Sequence, residues 1–140
     1  MPARRKGNFM ADIVELIQEK LSKDGQVLNL KAHYIREVGA QKLAQCELLS
    51  NLRALELSQN DIGDEGARAI AESTCFPKLR SLNLQSNKIT DKGAAYLANS
   101  TNLNSLKILQ LVINDITEIG EKMLINSKNL TNLTSLKFRV

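Results

Sequence analysis

The chain has 140 residues, 43% of them apolar, and a formal charge of +4, enough apolar content for one core. No stretch approaches the roughly eighteen consecutive apolar residues of a membrane span. The positive charge sits at the two ends, with 12 basic against 15 acidic residues between Met10 and Glu121, which is not the continuous basic face of a nucleic-acid binder.

Residues 1–9 carry Arg4, Arg5 and Lys6 and read as a basic tail. The apolar stretch that follows is broken by Asp12, Glu15 and Glu19, so no secretory signal is expected. Over residues 10–24, Met10, Ile13, Val14, Ile17 and Leu21 recur three and four apart, the spacing of one helical stripe. Lys23, Asp24 and Gly25 supply a stop. The expectation is a capping helix laid over the first of several stacked units, because such an array needs its terminal faces covered.

From Gly25 to Val140 a 27-residue period governs the chain. Leu28, Leu55, Leu82, Leu109 and Leu136 form one column, and Leu30, Leu57, Leu84, Leu111 and Phe138 a second. Two apolar residues separated by one polar residue mark a short strand with one side turned inward. His33, Asn60, Asn87 and Asn114 follow, where an amide can satisfy backbone groups that a turn leaves open. Ile35, Ile62, Ile89 and Ile116 anchor the turn. Glu37, Asp64, Asp91 and Glu118 then place an acid in the first turn of a helix, where the dipole favours negative charge. Gly39, Gly66, Gly93 and Gly120 imply backbone packed too closely for a side chain. Leu43, Ile70, Leu97 and Leu124, with Ala44, Ala71, Ala98 and Ile125, complete an inward helical stripe. Each unit is strand, asparagine turn, short helix and return loop, and only a stack of such units buries a core.

The pattern L-x-x-L-x-L-x-x-N-x-I-x-(D/E)-x-G-A resembles a leucine-rich repeat, and the G-A helix with its period near 28 is similar to the ribonuclease-inhibitor-like subclass. Departures (Gly25, His33 and Glu121) fall in the first and last full copies, where terminal repeats are atypical. The resemblance implies an α/β right-handed solenoid of about four to five strand–helix repeats, with an N-terminal helical cap and parallel strands on the concave side. Its members are mostly protein-binding scaffolds, some regulate enzymes as inhibitors or GTPase activators, and a secreted bacterial effector would also be compatible.

Alternation along the strands turns Glu56, Asn83, Gln85, Ile108, Gln110, Val112, Lys137 and Arg139 outward onto the concave face. Ile108 and Val112 flank Gln110, with Lys137 and Arg139 beside them, so an apolar spot rimmed by charge is the expected contact for a protein partner. Arg53, Arg80 and Lys107 share a column just before the strands, read either as a solvated rim or as a site for an acidic partner. His33 is the only histidine, and no nucleophile–base or metal-ligand spacing surrounds it or the cysteines Cys46 and Cys75. No catalytic residue, metal, cofactor, small-molecule substrate, nucleic acid or membrane is therefore expected. The expected location is cytoplasmic, or the host cell for an effector. With no helix closing the fifth unit, a fragment or a short self-capping strand is expected ahead of an end-to-end dimer.

Overall fold

The computed structural model describes residues 9–140; the basic tail with Arg4, Arg5 and Lys6 lies outside them. Helix α1 spans Phe9–Lys20. Four strand–helix pairs follow: β1 (Val27–Asn29) and α2 (Arg36–Leu43), β2 (Ala54–Glu56) and α3 (Gly63–Glu72), β3 (Ser81–Asn83) and α4 (Asp91–Ala98), β4 (Ile108–Gln110) and α5 (Glu118–Ile125). Strand β5 (Ser135–Lys137) begins a fifth unit. The strands form one parallel sheet in sequence order. Its register aligns Leu28, Leu55, Leu82, Leu109 and Leu136. This is the α/β leucine-rich-repeat solenoid that the period implies.

The core runs the length of the stack. The columns of Leu28 and Leu30, of Ile35, and of Leu43 are buried in the central repeats. The return loops add two more columns, Leu49, Phe76, Leu103 and Leu130, and Leu52, Leu79 and Leu106, all buried. Each such side chain contributes about 1.5–3 kcal/mol on burial, and no single unit could enclose its own share. Helix α1 packs against α2 and β1 through Ile13, Leu16 and Ile17. Leu16 widens the stripe expected from the sequence.

Three ladders tie neighbouring units together. Asn60 Oδ1 accepts the His33 and Ile35 amides at 2.9 and 3.2 Å, while its Nδ2 donates to the carbonyls of Leu30 and Leu57 at 2.8 and 3.0 Å. Asn87 and Asn114 repeat the arrangement one unit along. The imidazole of His33 takes no such place: the residue is exposed, and only its backbone N–H joins the ladder. The unit before it, the α1 region, has no asparagine turn to bridge to.

A second ladder follows the helices. The hydroxyls of Ser73, Ser100 and Ser127 donate to the carbonyls of Ala44, Ala71 and Ala98, at the end of the preceding helix. They satisfy acceptors that a helix C-terminus leaves open.

The third ladder corrects the reading of the acids. Asp64 does not serve only its own helix. Its carboxylate accepts the Thr90 amide at 2.7 Å, the Thr90 hydroxyl at 2.7 Å and the Gly93 amide at 3.0 Å, so it holds the start of α4. Asp91 does the same for Thr117 at the start of α5. These bonds to the charged form hold the Asp91 carboxyl below its ordinary value of 3.8, the Thr117 hydroxyl being the largest cause. They also bear on two of the glycines, Gly93 and Gly120. A Cβ on Gly93 would lie 2.6 Å from Asp64 Oδ1 and 2.6 Å from Ile89 Cγ2, so the neighbour's cap and the turn isoleucine together exclude a side chain.

Candidate functional site

The eight residues expected on the concave face separate into three groups. Glu56, Asn83, Gln85 and Gln110 are half-buried on the middle strands and the turn after β3. They are partly ordered by one another: Asn83 Nδ2 donates to Glu56 Oε2 at 2.9 Å, Glu56 Oε1 accepts the Ser58 amide at 2.8 Å, and Asn83 Oδ1 accepts the Gln85 amide at 2.9 Å. A carboxylate and an amide held in this way form a preset polar surface with little rotamer freedom left to lose on binding. Glu56, Asn83 and Gln110, together with Val27, Ala54 and Ser81, line a shallow groove of about 280 Å3 along β1–β4.

Ile108 and Lys137 are exposed as expected, Ile108 at 39% of its full surface. Val27, at 49%, occupies the matching position of β1, so the face carries an apolar residue towards each end and polar residues between.

Val112 and Arg139 do not join this surface, and the expectation of an apolar pair flanking Gln110 is corrected. Val112 keeps only 6% of its surface. It lies past the end of β4, where its carbonyl accepts the Ser86 amide and the strand alternation no longer applies. The neighbouring Ile113 is the exposed one, at 61%, with φ +57, an unusual conformation for a β-branched residue. Arg139 bonds to Glu121 of α5 at 2.7 Å, and that carboxylate is only 13% exposed. Glu121 replaces the alanine that Ala40, Ala67 and Ala94 supply in earlier helices, all fully buried. The guanidinium therefore satisfies a nearly buried acid across the last unit, and does not rim Ile108.

Two features escaped the sequence reading. Tyr34 is 78% exposed, and the Arg36 guanidinium sits 5.9 Å from its ring centroid. Tyr34, Asp61 and Lys88 share one column and all have positive φ, so this turn throws its side chains out of the sheet, a rotation that strand alternation could not foresee. The serine ladder was legible in principle, since Ser73, Ser100 and Ser127 stand at the 27-residue period. Cys46 stands at the first position of that column and breaks the hydroxyl pattern.

Among the described residues no group of three or more His, Cys, Asp or Glu side chains converges as a metal site would. No helix among them is long and apolar enough to cross a membrane. Cys46 is buried and Cys75 half-buried, both as free thiols.

Two segments, residues 49–71 and 77–98, match the family model described as "Leucine Rich repeat". No curated protein sequence matches the chain. Among solved structures, the chain superposes on leiomodin-1 actin-binding site 2 with a TM-score of 0.72 and 19% identity, covering 100% of this chain and 82% of that one. It superposes on the Caenorhabditis elegans tropomodulin C-terminal domain with a TM-score of 0.69 and 18% identity, covering 94% and 82%. Five strands in register, the asparagine ladder and these matches show a chain that carries leucine-rich repeats and has their solenoid fold.

Proposed function

We propose that the chain is a non-enzymatic scaffold that seats a protein partner on the concave face of its sheet. The observation that carries this reading is the contrast between repeated and unrepeated positions. The leucine, isoleucine, asparagine, serine and helix-start aspartate columns that recur every 27 positions are engaged in the core or the ladders. The outward row Val27, Glu56, Asn83, Ile108, Gln110 and Lys137 does not recur, yet it is presented on the rigid strands. Apolar groups towards both ends of a preset polar row suit a protein surface. The actin-binding description of the leiomodin-1 structure makes actin the first partner to try. The proposed site consists of Glu56, Asn83, Gln85, Ile108, Gln110 and Lys137.

The test is co-sedimentation of the full chain with filamentous actin, beside monomeric-actin binding followed by fluorescence. The expected result is saturable binding that Ile108→Glu weakens about tenfold or more, with the circular dichroism spectrum unchanged. An Ile108→Glu chain that folds and binds as tightly as the original would remove the concave site. Absence of any actin binding would remove that partner.

A further inference from the structure

A second surface lies at the leading edge of the sheet, where the return loops deliver the chain into the strands. Arg53, Arg80 and Lys107 stand side by side there, each one residue before its strand. Their backbones are locked in line. The Arg53 carbonyl accepts the amides of Arg80 and Ser81 at 2.8 and 2.9 Å, and that of Arg80 accepts Lys107 and Ile108 at the same two distances. The Lys107 carbonyl accepts Thr134 and Ser135 at 2.9 and 3.0 Å. Parallel strands are about 4.8 Å apart, so the three side chains leave the backbone with a fixed step.

Among the described residues little neutralises that row. None of the five ion pairs among the described residues involves Arg53, Arg80 or Lys107. Arg80 and Lys107 are exposed. Arg53 is half-buried, and its Nε is enclosed without a hydrogen-bond partner. The loops that follow α3, α4 and α5 add Lys78 and Lys128 and contain no acid at all. The acid at this edge is Asp24, beyond Arg53 at one end. Its carboxylate is already bonded to the Ser22 hydroxyl at 2.7 Å and the Gln26 amide at 3.0 Å. Like charges held side by side repel, and among the described residues only the attraction between Asp24 and Arg53 at one end offsets that repulsion.

The chemistry of the edge selects the partner class. Single-stranded nucleic acid would call for exposed aromatic rings to stack bases, but the one aromatic residue in these loops, Phe76, is buried. A membrane surface would call for a cluster of exposed apolar residues to insert beside the cations, but Leu79, Leu103, Leu106 and Leu130 are buried, which leaves Leu48 and Ile108 as exposed apolar side chains near this edge. What remains is a line of cations carried on a rigid backbone over a packed core. Acidic residues three or four apart on a helix have Cβ atoms about 5–6 Å from one another, close to the backbone step of the row. We propose that the leading edge, through Arg53, Arg80 and Lys107, binds a carboxylate-rich helical segment of a protein partner, at a site separate from the concave face.

The test uses the full chain and a fluorescein-labelled, glutamate-rich helical peptide, with affinity read by anisotropy as salt is raised. Binding should weaken with salt, and Arg80→Glu/Lys107→Glu should weaken it about tenfold or more while the thermal midpoint stays within a few degrees. Arg80→Gln/Lys107→Gln should give an intermediate loss. A chain with Arg4, Arg5 and Lys6 changed to serine should bind as before, as should Ile108→Glu, which separates this site from the concave one. The proposal is overturned if the unsubstituted chain does not bind the peptide, or if the charge-reversed chain binds it equally well. Loss that follows the tail substitution alone would also overturn it. So would tighter binding to duplex DNA or to phosphatidylserine vesicles than to the peptide.

Discussion

At the trailing edge of the sheet, Asn60, Asn87 and Asn114 each bond to backbone groups of their own and the preceding unit. At the leading edge, Arg53, Arg80 and Lys107 make backbone bonds of the same regularity, yet their side chains form no ion pair among the described residues. Both edges obey the same period and both are rigid. They differ in what the period is for. An amide that completes a neighbour's turn cannot be changed without opening buried N–H groups. A cation that faces solvent can be changed with little effect on folding, so its recurrence needs another reason. Repetition alone therefore does not separate structural positions from functional ones; the destination of the side-chain atoms does.

Four substitutions test that contrast. The largest effect should come from Asn87→Ala. It leaves the Asn60 and Ile62 amides without their acceptor, and each buried unmade bond costs about 1–3 kcal/mol. A loss of roughly 2–5 kcal/mol by urea denaturation is expected, and a loss below about 1 kcal/mol would show that water replaces the amide. Next is Gly93→Ala, whose methyl meets the Asp64 carboxylate and Ile89. Overpacking of this kind costs about 1–3 kcal/mol, and the thermal midpoint should fall accordingly.

The third test is acid. Asp91 has a lowered folded pKa, so protons bind it more readily in the unfolded chain, and its contribution is present above the ordinary value of 3.8. That contribution is lost as pH falls below 3.8 and through the folded value. Asp91→Asn should therefore flatten the acid side of the stability profile, and an unchanged slope would deny the bridge to Thr117 any energetic role. The smallest effect belongs to the leading edge. Arg80→Gln should alter stability by less than about 0.5 kcal/mol, and a loss above about 1 kcal/mol would place Arg80 among the structural residues and weaken the case for a binding row there.

Much of the fold was legible because leucine columns at a fixed period admit one arrangement. A strand that shows L-x-L must turn its leucines inward, and 27 residues leave room for one short helix and two loops. The asparagine ladder followed from the same logic. The candidate site was less legible, for reasons that lie in particular residues. Strand alternation correctly turned Glu56, Ile108 and Lys137 outward but was carried two residues too far at Val112, where the backbone leaves the strand and enters a turn with positive φ at Ile113. Arg139 looked free because its partner, Glu121, lies 18 residues away on the preceding helix, a pairing that no local pattern encodes. The acids at the helix starts were placed correctly and understood incompletely, since Asp64 and Asp91 reach forward to the next helix. A period shows which positions are equivalent; it does not show which neighbour each one serves.

The ladders also give the array a direction. Asn60 reaches back to the carbonyl of Leu30 and Ser73 back to Ala44, so the turn and the helix end of each unit are completed by the unit that comes after it, while Asp64 reaches forward to start the next helix. During synthesis the unit just made would hold open donors and acceptors until its successor emerged, and would then close like the tooth of a zip. Folding of such a chain would proceed in step with its own elongation, each new unit both seating itself and finishing the one before.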